Sequence, residues 1–246
     1  MSKIVNRTME LFETFAAQKA PLSLTALMKA LDIPLSSCHD VVQALEERGY
    51  LYEVKPRLGY YPTARLYDLG KTIVENDPVV QRAEPVLQRL ATALNASVSL
   101  AKAKGRDLTY LLVCAPPDPL RFMVSVGSKV RNLYATSAGK ALLASFAPQE
   151  RKAMLSRMTL TPLTPATITS RKALLKDLAE GEARGWFANR EESVEDALTI
   201  SARLVWNGAT YVVTASGTLK RMERQLDRAV KALLAAAAAL SDSEHP

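Results

Sequence analysis

Residues 23–49 constrain the fold most strongly, because they contain two short amphipathic helices separated by a proline break. Ser23 is a predicted N-cap, since its hydroxyl can accept a hydrogen bond from a free amide of the next turn. The first helix is predicted to stop before Pro34, because proline disfavours helical geometry in the residue that precedes it. The second helix has an apolar stripe and ends at Gly49, which suits a left-handed C-cap. The stripe consists of Cys38, Val41, Val42 and Leu45.

The other face of the second helix is polar and starts with small hydroxylated residues. Such residues let a helix N-terminus approach phosphate closely, where free amides and the helix dipole favour an anion. Residues 50–63 then predict a β-hairpin with a basic turn, a wing that suits backbone or minor-groove contacts. Together they predict a winged helix-turn-helix, whereas a helical hairpin with only a packing role is the alternative for the helix pair alone. The predicted DNA contacts are Arg7, Ser36, Ser37, His39, Gln43, Lys55 and Arg57.

The net charge of +7 is unevenly distributed along the 246 residues. Residues 1–76 carry nine basic and nine acidic residues, so the whole excess lies in the remainder. Net charge alone therefore does not favour DNA binding by the N-terminal part. The local placement of Arg7, Lys55 and Arg57 does favour it.

Several classes of protein are excluded or disfavoured by the composition. No apolar run approaches the roughly 18 residues that a transmembrane helix needs, and the N-terminus lacks the apolar core of a signal peptide, so we expect a cytoplasmic protein with no membrane partner. Cys38 and Cys114 are expected to be buried thiols rather than a disulfide. With only His39 and His245 as further candidates, no metal-ligand spacing is present, and no cofactor is predicted.

The chain is predicted to be a two-domain α+β protein. Residues 1–64 form the winged helix-turn-helix, 65–94 form linker helices, and 95–246 form a second domain. An apolar face on the linker helices could form a dimer or simply pack on its own domain, and the sequence leaves both open.

From Asn95 onward the hydrophobic period changes to the alternation that is typical of strands. Val98 and Leu100 are predicted to face the core, with Ser97 and Ser99 facing solvent. Six strands are predicted in this domain, mostly joined by hairpin-length turns, which favours an α+β arrangement. Their ranges are 96–102, 108–114, 122–126, 186–189, 198–206 and 211–216.

A candidate anion site lies at Ser137-Ala138-Gly139, just before a predicted helix. Free amides at the positive end of the helix dipole would cradle a carboxylate. Thr214 and Ser216 alternate with period two, so both point to one sheet face, where a polar ligand would supply hydrogen-bond partners. The alternative is that these are small packing residues satisfied by backbone groups.

With these pieces in place, the chain resembles an IclR-type transcriptional regulator over nearly its whole length. The markers are the sequence ATSAGKALLA at 135–144, Glu191-Glu192, the strand at 198–202 and the sequence TASG at 214–217. The resemblance implies a GAF-like effector domain with a six-stranded antiparallel sheet. It also implies homodimers or tetramers on palindromic double-stranded operators.

The resemblance further implies a regulator that responds to a small organic-acid or aromatic effector. We expect a repressor of a catabolic operon, although the sequence itself leaves repressor and activator open. By position, Ser137 and Ala138 would donate backbone amides to the effector. The side-chain contacts would come from Asn189, Thr199, Thr214 and Ser216.

This sequence departs from the family pattern at Asp40, where a basic residue is common in the recognition helix, and at Asn189, Thr199 and Arg203 in the effector domain. Asp40 could cap a neighbour or accept from a cytosine amine. It keeps open a second interpretation, a small-molecule-sensing scaffold with weak or lost DNA binding.

Enzyme interpretations fail on the residues, so no enzyme is predicted. Ser137 and Lys140 form an S-x-x-K pattern, but the companion motifs of serine acylases are absent. A P-loop lacks its required glycine and hydroxyl residue. A Ser-His-Asp triad lacks a suitable histidine.

Overall fold

A computed structural model describes residues 3–55, 58–116 and 124–241 of the chain. The chain divides into two units, Met1–Asp77 and Pro78–Pro246. This boundary falls inside the stretch 65–94, whose role as a linker stays a prediction. Among the described residues, no helix combines the length and the apolar character that crossing a bilayer requires.

The N-terminal unit begins with three helices, continues with a two-stranded hairpin and ends with a fourth helix. Ser23 caps the second helix by accepting from the Ala26 amide at 3.2 Å, and Asp32 ends it in the left-handed conformation. Gly49, at φ +73°, follows the end of the third helix. The predicted helix-turn-helix is therefore confirmed. The elements are α1 (Lys3–Gln18), α2 (Leu24–Leu31), α3 (Leu35–Glu47), β1 (Leu51–Lys55), β2 (Gly59–Pro62) and α4 (Arg65–Glu75).

The core of this unit lies where α1, α2 and α3 meet. The predicted apolar stripe of α3 is buried in it, together with Leu51 of the first strand. Burying these side chains contributes roughly 1.5–3 kcal/mol each, which fixes the angle at which α3 is presented. The buried residues are Leu11, Phe15, Leu27, Leu31, Ile33, Cys38, Val41, Val42, Leu45 and Leu51.

The wing is anchored to the loop between α1 and α2. β1 and β2 pair antiparallel, and Leu22 forms a further bridge with Tyr60 through two backbone hydrogen bonds of 2.9 and 3.0 Å. Gly59 makes this approach possible, because it has φ +106° and a Cβ there would lie 2.4 Å from the Leu22 carbonyl group. The wing tip at residues 56–57, including the predicted contact Arg57, lies outside the described residues.

The C-terminal unit combines one antiparallel sheet with helices on both of its faces. A short 3-10 turn at Leu133–Ala135 leads directly into the helix at Ser137–Ala144. The elements are α5 (Pro78–Leu94), β3 (Ser97–Lys104), β4 (Asp107–Cys114), α6 (Ser137–Ala144), α7 (Pro148–Arg157), α8 (Arg171–Arg184), β5 (Phe187–Arg190), β6 (Ala197–Trp206), β7 (Ala209–Thr218), α9 (Leu219–Arg224) and α10 (Leu226–Leu240).

Among the described residues the sheet has five strands, in the order β4-β3-β7-β6-β5, and not the predicted six. The missing strand was expected at 122–126. Residues 124–126 are not in a strand, and the first two lie outside the described residues. The chain pairs with β4 only later, through short backbone bonds made by Gly127, Ser128 and Val130 with Tyr110 and Leu108. Gly127 at φ +83° and Asn132 at φ 49° bound this contact, so it is too short to make a strand.

Both faces of the sheet are covered, which corrects the predicted orientation of β3. One face packs against α5 and α10, and the other packs against α6 and α8. Ser97 and Ser99 were expected to face solvent, but each is only 6% exposed. Alternation of polar and apolar residues distinguishes the two faces of a strand but does not reveal that both are buried.

Candidate functional site

Two rows of mostly hydroxylated side chains cross the sheet on the face that α6 covers. The strand registers place the members of each row side by side, and residues two apart along a strand share a face. The first row is Ser97, Ser216, Thr199 and Asn189, and the second is Ser99, Thr214, Ser201 and Phe187. Four of the predicted effector contacts are therefore members of these two rows.

Ser137, at the start of α6, is hydrogen-bonded to these rows by a continuous chain of hydroxyls. Its Oγ lies 2.7 Å from Thr199 Oγ1 and accepts a hydrogen bond from Ser201 Oγ at 2.8 Å. Ser201 Oγ also lies 2.8 Å from Thr214 Oγ1. The structure thus brings three predicted residues together through Ser201, which sequence reasoning missed. Period two from Thr199 was the signal that could have found it.

The first turn of α6 leaves backbone amides available. The first amides of a helix have no partner within it. Thr136 caps the Gly139 amide, since its hydroxyl oxygen accepts from that amide at 3.2 Å. The two preceding amides belong to Ser137 and Ala138. A Cβ on Gly139 would lie 2.3 Å from the Leu133 backbone, so glycine is what allows the preceding turn to pack this closely.

Asn189 is buried, but its amide is used within the chain. Its Nδ2 donates to Ser193 Oγ at 2.7 Å, and its Oδ1 accepts from the Glu192 amide at 2.7 Å. The side chain therefore holds the loop after β5 in place. Ser216 is half-buried beside Thr199 in the first row.

A buried ion cluster lies one helical turn beyond Ser137. Lys140 is 0% exposed, with its Nζ 2.5 Å from Glu192 Oε1 and 2.8 Å from Asp177 Oδ2, the second contact falling outside hydrogen-bond angles. The ammonium also donates to the Ala188 carbonyl at 3.1 Å. Sequence reasoning treated Lys140 only as part of an S-x-x-K pattern. Its bonds go elsewhere, and among the described residues no basic group contacts the Ser137 hydroxyl.

The carboxyl of Glu192 is perturbed by this environment. Burial raises its pKa above the ordinary value, the charge and hydrogen bond of Lys140 lower it in part, and the nearby Asp177 raises it. The second carboxylate oxygen, Oε2, is buried without a hydrogen-bond partner. Because α6, α8 and the loop after β5 each supply one member, the cluster ties together the elements around the hydroxyl rows.

The predicted DNA contacts lie on the outer side of α3 and near it. Ser36, His39 and Gln43 are exposed and Ser37 is half-buried. Gln43 Nε2 donates to Glu47 Oε1 at 3.0 Å, an exposed bond along the helix. Lys55 is exposed at the end of β1.

Asp40 shares a groove with two cations. A groove of about 440 Å³ runs between α1 and α3, and Arg7, Ser37, Asp40 and Arg48 are among the residues that line it. The Asp40 carboxylate also lies 3.9 Å from His39 Nδ1. The groove therefore carries two positive side chains and one negative one. Arg48, at the C-terminal end of α3, was not among the predicted contacts.

Within the described part of the chain, no group of three or more His, Cys, Asp or Glu side chains is arranged to hold a metal ion. Cys38 and Cys114 are both buried free thiols. The predicted thiol state of these two residues is confirmed.

Two family profiles match the chain. Residues 71–242 match the C-terminal domain of the bacterial transcriptional regulator IclR. Residues 5–55 match the IclR helix-turn-helix domain.

Full-length relatives show the same similarity. The HTH-type transcriptional regulator BhcR of Paracoccus denitrificans is 26% identical over 242 residues, 97% of this chain and 86% of BhcR. The HTH-type transcriptional repressor AllR of Escherichia coli K12 is 26% identical over 194 residues, 78% of this chain and 70% of AllR. An IclR homologue from Microbacterium hydrocarbonoxydans, crystallised with 4-hydroxybenzoate, has the same fold, with a TM-score of 0.76 at 22% identity over 97% of this chain and 98% of that one.

Proposed function

Because the chain belongs to the IclR family of helix-turn-helix transcriptional regulators, we propose that it represses a catabolic operon and that a small organic acid modulates its operator binding. The observation that carries this proposal is the hydroxyl chain beneath the first turn of α6. It joins the Ser137 hydroxyl, at the start of α6, to the hydroxyls of Thr199, Ser201 and Thr214 on the sheet. The relative AllR is itself a transcriptional repressor.

On the DNA side, α3 would enter the major groove with its exposed polar face. Ser36, Ser37, His39 and Gln43 would contact the DNA there, while Arg7 and Lys55 would neutralise phosphates. The support is that the apolar stripe of α3 is buried, so this polar face is the one presented outward. Arg57 at the wing tip is proposed as a backbone or minor-groove contact on its sequence position alone.

On the effector side, residues 95–246 would act as a GAF-like effector domain. A carboxylate would be held by the Ser137 and Ala138 amides, where the helix dipole favours an anion. Asn189, Thr199, Thr214 and Ser216 would supply side-chain contacts. The two rows of the sheet support this proposal, because these four side chains share one face of it.

We also propose that the protein is a homodimer or a pair of dimers on a palindromic operator. α4 supports this, because none of its side chains is buried among the described residues and Tyr67 is 70% exposed. An amphipathic helix with an uncovered apolar face fits a contact with a second copy, and a two-fold dimer matches two half-sites. Effector would act through 65–94 by favouring one spacing of the winged domains, which requires that it bind that arrangement better.

The test is fluorescence anisotropy of the full-length protein with DNA from upstream of its own gene, at two salt concentrations. We expect tight, salt-sensitive binding that an unrelated duplex of equal length does not match, since phosphate contacts release counterions. Arg7→Gln should weaken binding to both duplexes and reduce the salt slope by about one. Lys152→Gln, an exposed position in the other unit, is the charge-matched control.

The second candidate function is a small-molecule-sensing scaffold with weak DNA binding, which the Asp40 carboxylate in the groove favours. Binding no tighter than to the unrelated duplex, with and without candidate acids, would support this candidate and contradict the proposed regulator.

A further inference from the structure

The hydroxyl rows are confined to one end of the sheet face. Further along the same strands, this face carries Ala101 of β3 and Val212 of β7, which belong to an apolar cluster with Leu108 and with α6. Along each of these two strands, the side chain on this face changes from hydroxylated to apolar over two residues. The hydroxylated end of the face is the end at which Ser137 begins α6. The polar residues are therefore concentrated at the helix start rather than scattered over the face.

The hydroxyls of this cluster can form more hydrogen bonds than they make with one another. The four hydroxyls of Ser137, Thr199, Ser201 and Thr214 have four protons but share three bonds, so at least one donor points away from the chain. Ser97 and Ser99, two residues apart on β3 and one in each row, are further hydroxylated residues, each more than nine-tenths buried. Within the described residues, neither of these two hydroxyls has a hydrogen-bond partner. Neither oxygen is among the fully buried atoms that lack a partner, so both keep some access, and a ligand with hydroxyls of its own fits this surface.

Two groups next to the rows, one charged and one aromatic, are already occupied by contacts within the chain. Lys140, the cation closest to Ser137 along α6, is occupied by Glu192 and Asp177. The aromatic member of the rows, Phe187, has its ring packed on Gly181, where a Cβ would lie 2.3 Å from the ring. The rows themselves therefore offer neutral donors and acceptors. Beyond them on the same face lie the exposed Arg203, two residues from Ser201, and the half-buried Tyr110, opposite Ala101.

We propose that the effector is a hydroxylated aliphatic monocarboxylate, whose carboxylate binds the α6 amides and whose hydroxyl groups bond the rows. This inference rests on the proposed function, because it specifies the ligand class of that same site. Acids without hydroxyl groups, whether aliphatic or aromatic, would leave Ser97, Ser99 and the end of the hydroxyl chain without partners.

The test is isothermal titration calorimetry of the full-length protein with pairs of acids that differ in their hydroxyl groups. The pairs are glycerate with propionate and gluconate with hexanoate, and benzoate represents aromatic acids. We expect the hydroxylated member of at least one pair to bind roughly tenfold or more tightly than its partner and than benzoate, at about fivefold for each hydrogen bond gained.

Three substitutions assign that preference to the rows. Ser201→Ala and Thr214→Val should each reduce the hydroxyl preference about fivefold and leave binding of the unsubstituted acid nearly unchanged. Ser99→Ala loses no hydrogen bond to described residues, so it keeps the test valid if either of the other two fails to fold. Thr210→Val, on the same face at the far end of β7, is the matched control and should keep the full preference.

The possible outcomes distinguish an incorrect ligand class from an incorrect proposed function. If propionate, hexanoate or benzoate binds as tightly as the hydroxylated acids and changes DNA binding, the ligand class is overturned and the regulator proposal stands. If the row variants keep the full preference, the assignment to these hydroxyls is overturned. If no acid binds and none changes DNA binding, both proposals are overturned.

Discussion

Replacing Lys140 by methionine should be severely destabilising to the C-terminal unit. The side chain is 0% exposed, and its ammonium lies against Glu192, 8% exposed, and Asp177, 24% exposed. Methionine fills much of the same volume but leaves two carboxylates without their cation. Removing one partner of a buried ion pair costs about 3–5 kcal/mol, and we expect the lower half of that range because Asp177 can turn partly toward water. Glu192→Gln should reduce the free energy of unfolding by less, because the Lys140 ammonium still has the Asp177 carboxylate as its counter-ion.

The pH dependence of this loss follows from Glu192. Burial raises the pKa of its carboxyl, so between the ordinary and the raised value the folded chain binds more protons than the unfolded chain. This group therefore stabilises the fold at low pH, and its contribution is lost as pH rises through the folded pKa. Lys140 lowers that pKa, so the substitution should raise it further. Protonation then removes the uncompensated charge, and the loss in Lys140→Met should shrink from about pH 8 to about pH 5.

Urea unfolding followed by tryptophan fluorescence measures the free energy of unfolding of the C-terminal unit. Trp186 and Trp206, the two tryptophans of the chain, both lie in it. Lys176→Met is the matched control, because its side chain is 80% exposed and it forms a surface pair with Glu180 at 3.8 Å. Such pairs contribute less than about 1 kcal/mol. A loss in Lys140→Met no larger than in the control, or a loss that grows on acidification, would refute the reasoning.

Three further predictions concern single positions. Gly59→Ala should destabilise the N-terminal unit by more than about 2 kcal/mol, because φ +106° strains alanine and the new Cβ would clash with the Leu22 backbone. Thermal unfolding followed by circular dichroism measures the loss. Gly105→Ala is the control, because Gly105 also has a positive φ but no atom lies within 4 Å of its added Cβ, so the difference between the two variants reports the clash. Gly139→Ala should cost about 1–3 kcal/mol and weaken effector binding, since the new Cβ would lie 2.3 Å from the Leu133 backbone; calorimetry on the refolded variant tests both effects. Burial raises the pKa of the Cys114 thiol to about 11, so at about pH 8 iodoacetamide should label it only after unfolding, as mass spectrometry would detect; rapid labelling of the folded chain would contradict this.

Elements with a local cause were predictable from the sequence. The helix pair at 23–49 follows from a cap, a break and a stripe, and all three are present in the structure. At the described residues of the strand predicted at 122–126, which are 124–126, no strand forms, and the reason is non-local. These residues have strand character, but a strand forms only where a partner edge is available, and the contact with β4 occurs at Gly127–Val130. Strand propensity does not report on that edge.

The site was predictable in part, and the gaps share one cause. Ser137 and Thr214 were predicted because a helix start and period-two alternation are local patterns, whereas Thr199 was predicted only from the family resemblance. Lys140 was missed as a buried charge, because its carboxylate partners come from a different helix and a distant loop. A long polar side chain on a helix is usually exposed, and only the tertiary structure shows that this one is enclosed.

The position of α6 must be set by its surroundings rather than by its own sequence. It has eight residues, Ser137–Ala144, and isolated helices shorter than about 12–15 residues are marginal in water. Gly139 seats it on the preceding turn, Lys140 anchors its middle to the ion cluster, and Arg151 donates to the Ala144 carbonyl at 2.7 Å at its end. Substituting any of these residues should therefore shift the amides that face the hydroxyl rows. A folded Lys140→Met variant should lose effector affinity even though Lys140 itself is proposed to touch no ligand.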